Sequence, residues 1–249
     1  MTYSIIAHDP ATGEIGLAVA SRFFAAGAAV PYVGARCAVA TQAFVNPIWG
    51  VEGRTRLAAG ESAEAVLADF KSRDEGQAIR QCHMMDAKGN FAAHTGADCI
   101  DWAGHLVGRH HSVAGNMLAG PGVIEATYAA YIKAQGSMAE RLLTAMEAGE
   151  AAGGDKRGRQ AAGLTVHRGQ DYAFLSLRVD DEADPLAELR RLLDVADERY
   201  LHVAEAMPTA KNFSGLTDRA PIDRAIAEAE DRRRLEGRSS RSRATETGS

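Results

Sequence analysis

The first twenty-two residues constrain this chain most. Tyr3 to His8 and Glu14 to Ala20 are short apolar runs, and between them lies Asp9-Pro10-Ala11-Thr12-Gly13, a cluster of turn-favouring residues. The pattern predicts a β-hairpin. Because the hairpin begins at residue 2, no signal region, transit segment or linker is expected before it, and Thr2 falls at the tip of a strand rooted in a sheet. An antiparallel hairpin brings the end of its second strand back beside the start of its first, so Ser21 and Arg22 are expected next to Thr2. Methionine aminopeptidase acts when the second residue is small, and loss of Met1 would leave Thr2 with a free α-amine. Such an amine has a pKa of about 8, close enough to neutrality to take the proton of its own residue's hydroxyl. That is the chemistry of a threonine nucleophile activated by its own N-terminus. Ser21 and Arg22 would then hold the amine and an anionic substrate group. The alternative is a frayed terminus beside a solvated arginine.

No linker-like stretch appears before residue 209, so one domain is expected over 1–209, followed by a charged extension over 210–249. Within the extension, residues 222–236 read as a charged helix, and Gly237 to Ser249, lacking any large apolar residue, as disordered. The formal net charge of -5 argues against nucleic acid as a partner. The chain has no apolar run of eighteen residues, so no membrane insertion is expected. Cys37, Cys82 and Cys99 are scattered without CxxC spacing, which points to a reduced compartment, and a bacterial cytoplasm is expected.

Cys37 to Ala40 reads as a buried strand, and the N–H groups around Thr41, Gln42 and Ala43 are candidate oxyanion donors. Asn46-Pro47 starts a helix that stops at Gly60, and Ser62 starts a second. Gln77 to Met85 and Phe91 to Thr95 make a second hairpin, with His83 and His94 in its strands. Gly96 to His111 reads as a loop. It holds His105, His110 and His111, but no HExxH or comparable spacing, so these read as a polar cleft wall and no metal is expected. Ser112 to Leu118 is a strand in which Asn116 is either a buried strut or an active-site donor. Helices over 122–134 and 137–149 follow. Residues 149–160, with four glycines and three cations, either present backbone donors and charge to an anion or form a solvated helix-ending loop. Ala161 to His167 and Gln170 to Val179 make a third hairpin, and Asp184-Pro185 starts a last helix. Strands in hairpins and helices in pairs predict an α+β fold of two stacked antiparallel sheets between helical layers, αββα.

Thr2 to Ala7, Asp9 to Gly13, Ala18 to Phe23, Ala40-Thr41-Gln42, Gly115 to Leu118, Gly153 to Gln160 and Leu177 to Asp181 together resemble the bacterial domain of unknown function 1028 family over roughly residues 1–205. That resemblance implies the N-terminal nucleophile (Ntn) hydrolase fold, which is αββα. By analogy with proteasome-type members it puts Thr2 in the nucleophile's place and its α-amine in the base's. Ser21-Arg22 resembles the Ser-Arg after the second strand there, whereas Ala20 stands where those enzymes carry an aspartate. No lysine precedes Lys71, so Arg22 or Arg36 would supply the positive charge.

The expected function is an amidohydrolase acting on a small amide or ureido substrate. Thr2 attacks, the backbone near Gln42 or the Asn116 side chain holds the oxyanion, Arg22, Arg157 and Arg159 bind a substrate carboxylate, and Ser21, Thr41 and Asp155 are further substrate-binding residues. A homo-oligomer without cofactor is expected. The alternatives are a catalytically inert ligand-binding or assembly protein, and a metal hydrolase built on His105, His110 and His111.

Overall fold

A computed structural model describes residues 2–244; Met1, and with it the expected processing step, lies outside the described residues, as do residues 245–249. The chain falls into two compact units, one ending at Leu189 and one starting at Arg190, whereas the sequence reading places the boundary at 209.

In the first unit the strands are β1 (Thr2–His8), β2 (Ile15–Ser21), β3 (Pro31–Val33), β4 (Ala38–Ala43), β5 (Arg80–Met85), β6 (Phe91–Thr95), β7 (Trp102–Val107), β8 (His111–Leu118), β9 (Ala161–His167) and β10 (Leu175–Val179). They form two antiparallel sheets, a six-stranded one in the order β10-β9-β2-β1-β8-β7 and a four-stranded one in the order β3-β4-β5-β6. The first hairpin closes because Asp9 makes its own turn: its Oδ1 accepts the Ala11 N–H at 3.0 Å, and Gly13 takes a φ of 75° that a side chain would resist. β1 is central, paired with β2 on one side and β8 on the other.

Side chains alternate across each strand. Ile6, Ile15, Leu17 and Val19 of the larger sheet meet Val33, Ala38, Ala40 and Met85 of the smaller one in one apolar cluster between the sheets. The other face of the smaller sheet, with Val39, Cys82 and Met84, packs on Trp49, Leu57, Val66 and Phe70 of α2 (Pro47–Ala58) and α3 (Ala63–Arg73), which follow the short α1 (Ala26–Ala29). Burying each of these large side chains stabilises the fold by about 1.5–3 kcal/mol. The other face of the larger sheet carries α4 (Gly122–Lys133) and α5 (Met138–Ala151). A Cβ on Gly16 would stand 2.5 Å from the end of the Leu142 side chain of α5, so a larger residue there makes the Leu142 and Met138 side chains shift. The helix starts are capped as predicted: Asn46 Oδ1 accepts from Ile48 N, and Ser62 Oγ accepts from Ala65 N. The architecture is thus α+β with two antiparallel sheets.

One expectation is corrected. Gly96 to His111 is not all loop, since Trp102–Val107 forms the edge strand β7. Glycine and histidine in this segment weaken the strand pattern, and pairing with β8 overrides it.

α6 (Pro185–Val195) continues into a stretch of π geometry, Ala196–Tyr200, and α7 (Leu201–Ala204); the charged helix is α8 (Ala220–Leu235). In the second unit Glu198 accepts from Ser240 Oγ and Arg241 N, each at 2.7 Å, so the first part of the stretch read as disordered is held by hydrogen bonds. Among the described residues no helix is long and apolar enough to cross a membrane.

Candidate functional site

Pairing register brings three predicted residues together: Thr2 lies opposite Ser21 on one side and opposite Asn116 on the other. Thr2 and Ser4 share the β1 face that looks toward the smaller sheet. The Thr2 and Ser21 hydroxyls are 3.0 Å apart and both side chains are buried.

Beneath them a polar layer joins the sheets. Ser4 Oγ donates to Gln42 Oε1 at 2.6 Å, and Gln42 Nε2 donates to Gln81 Oε1 at 2.8 Å. Asn116 Nδ2 donates to the same Gln81 oxygen at 3.0 Å. Gln81 Nε2 in turn faces the Gly115 carbonyl at 2.8 Å, Thr95 Oγ1 at 2.9 Å and the Gly104 carbonyl at 3.1 Å. His83 bridges Ser4 Oγ at 2.9 Å and Ser112 Oγ at 3.0 Å. Burial pushes its pKa down to about 3, so the ring is neutral at physiological pH. The single Ser4 hydroxyl proton is committed to Gln42, so His83 Nε2 carries the ring proton and donates to Ser4.

Beside β2, the glycine-rich segment 153–158 wraps around one carboxylate. Asp155 is buried; its Oδ2 accepts the Arg22 N–H and its Oδ1 the Arg157 N–H, both at 2.8 Å. The Arg22 guanidinium reaches the Arg157 carbonyl. Positive φ at Gly153, Gly154 and Gly158 (118°, 46° and 101°) explains why this stretch needs glycine. Two non-glycine residues beside the polar layer share that region: Ala43 (66°), after Gln42, and Met117 (54°), after Asn116. Each conformation costs on the order of 1 kcal/mol, and such strain concentrates at functional sites.

The "Family of unknown function (DUF1028)" matches residues 2–189. The chain belongs to this family. A crystal structure of another DUF1028 protein, from Silicibacter pomeroyi, is 32% identical in sequence, with a TM-score of 0.81, over 87% of this chain and 96% of that one. No match was found among curated proteins. The DUF1028 match ends at the boundary of the first compact unit, so the Thr2 cluster belongs wholly to the shared part.

Within this DUF1028 unit not every predicted site residue converges. Thr41 turns to the other face of β4, where its Oγ1 accepts the Asn46 N–H at 3.2 Å, and its own N–H donates to the Val30 carbonyl. It is therefore corrected from oxyanion donor to structural link, because the chain before β3 uses that donor. Arg159 pairs with Glu150 at 2.9 Å and Asp184 at 2.7 Å. Burial raises the pKa of Glu150, opposed by the charge of Arg159. The histidines of the metal reading separate: His105 Nδ1 is 2.8 Å from Thr95 Oγ1, while His111 stacks on Tyr128 and Tyr131. Among the described residues no three His, Cys, Asp or Glu side chains are grouped to hold a metal. Sequence reasoning did not single out Ser4, Gln81 or Ser112. Polar residues at alternate positions of otherwise apolar strands were the available signal.

Proposed function

We propose that this protein is an amidohydrolase of the Ntn type, with the helix pair α4/α5, the two sheets and the pair α2/α3 as the four layers of an αββα sandwich. Once Met1 is removed, the Thr2 amine takes the proton from Oγ1 and Oγ1 attacks an amide or ureido carbonyl. The second N–H of Asn116 Nδ2, the first being engaged by Gln81, faces the developing oxyanion. The protonated amine passes its proton to the leaving nitrogen as the C–N bond breaks, and water then releases the acyl group from Thr2. Arg22 and Arg157 supply charge for a substrate carboxylate. The observation that carries this reading is the 3.0 Å contact of the Thr2 and Ser21 hydroxyls above a polar layer between two sheets.

The test is Thr2→Ala together with intact-mass measurement and an electrophilic trap for N-terminal nucleophiles. A processed wild type that is labelled, and a folded variant that is neither labelled nor active, support it; a fully active variant or retained Met1 removes it. One observation favours an inert binding protein instead, namely that Ala20 stands where proteasome-type members carry an aspartate and no lysine precedes Lys71. In that case the trap leaves processed protein unlabelled.

A further inference from the structure

We propose that a cleft of about 750 Å³ at the opposite end of β1, lined by His8, His111, Tyr128, Tyr131, Arg109 and Arg141 among others, is a second ligand site for a small organic anion with a flat apolar body. His8 is six strand steps from Thr2, or about 20 Å, so the two sites are separate.

The floor of the cleft holds a buried group without a partner. His111 is 5% exposed, its ring centroid is 4.1 Å from that of Tyr128 and 4.9 Å from that of Tyr131, and its Nε2 is buried with no hydrogen bond. Burial lowers its pKa, opposed by a hydrogen bond from the ring to the Tyr128 backbone, so the imidazole enters the site neutral with Nε2 as an acceptor. Arg141 gives one nitrogen to Asp9 at 2.8 Å, while its Nε is also buried without a partner. Leaving the Arg141 Nε–H unmade costs about 1–3 kcal/mol, a cost that an anion completing it removes.

The class of ligand follows from what is left over. The two carboxylates of the cleft are engaged, Asp9 by Arg141 and Glu14 by Arg168. What remains is donors, namely the exposed Arg109 and the buried Arg141 Nε; the start of α5 at Ser137 and Met138 also lines the cleft, but Ser137 and Glu140 already cap it. Donors and positive charge call for a carboxylate or phosphate. Tyr128, Tyr131 and Ile132, the last 62% exposed, form an apolar wall that suits a planar ring.

The experiment is an NMR titration of full-length protein with its histidine rings labelled, using benzoate and inorganic phosphate as separate probes at millimolar concentration. Benzoate is expected to move the His111 ring resonances and phosphate to move them less. Arg109→Ala should weaken benzoate about tenfold, as expected for losing one charge-assisted contact, without changing the melting temperature. Arg141→Gln should weaken it further but also breaks the Asp9 ion pair, so Arg109→Ala separates binding from folding. Thr2→Ala should bind benzoate like wild type. The proposal is overturned if neither probe moves His111, if Arg109→Ala binds benzoate unchanged, or if phosphate matches benzoate.

Discussion

Asn116 on β8 donates to Gln81 on β5 at 3.0 Å, and this bond crosses from one sheet to the other at the level of Thr2. Away from this polar layer the sheets are joined by apolar contact, which is non-directional and leaves them free to slide. A chain of amides with Gln81 at its centre fixes where the strand ends that carry Thr2, Ser21 and Asn116 stand against β4 and β5.

Gln81→Leu removes the acceptor for Gln42 and Asn116 and the donor to Gly115 and leaves their polar atoms buried. We expect a loss of about 2–5 kcal/mol, read as a lower urea midpoint. A midpoint within error of wild type would show that the amide chain does not hold the sheets.

His83 makes stability depend on pH. Its folded pKa of about 3 lies below the unfolded value of about 6.5, so between those values the unfolded state binds more protons. Stability is therefore complete above the unfolded value and falls as pH drops from 6.5 toward 3, by about 1.4 kcal/mol per unit for this group once pH is well below 6.5. Unfolding of wild type and His83→Gln across that window should show a shallower slope in the variant. Parallel slopes would mean the ring is not neutral and buried in the native state.

Ala43 tests the strain beside the polar layer. At a φ of 66° Ala43→Gly should be neutral or stabilising by up to about 1 kcal/mol, and Ala43→Val destabilising by more than that. Thermal melts of the two variants give the ordering, and a more stable valine variant would contradict the left-handed backbone.

Gly163 probes a backbone contact. A Cβ there would stand 2.6 Å from the Gly27 Cα, so Gly163→Ala forces α1 away from β9 and should cost about 1–3 kcal/mol. An unchanged melting temperature would show that this end of the sheet yields freely.

Alternation of apolar residues around Asp9 to Gly13 settled the first hairpin, and Asn46-Pro47 and Ser62 settled two helix starts, because turns and caps are made by side chains acting on backbone a few residues away. The same local rules put Ser21 beside Thr2. They could not assign Asn116, Gln81 and His83, whose partners lie 14 to 79 residues away along the chain. Nor could they tell that Thr41 faces the helices and that its N–H is already taken by Val30, since that depends on how the chain before β3 meets β4. The sequence by itself determined most of the elements, though not β7, and the β1/β2 register, which short-range hydrogen bonding decides. Only the tertiary structure decided which polar side chains meet between the sheets and which buried atoms, such as His111 Nε2 and Arg141 Nε, are left without hydrogen bonds, because burial and long-range pairing belong to the packed chain.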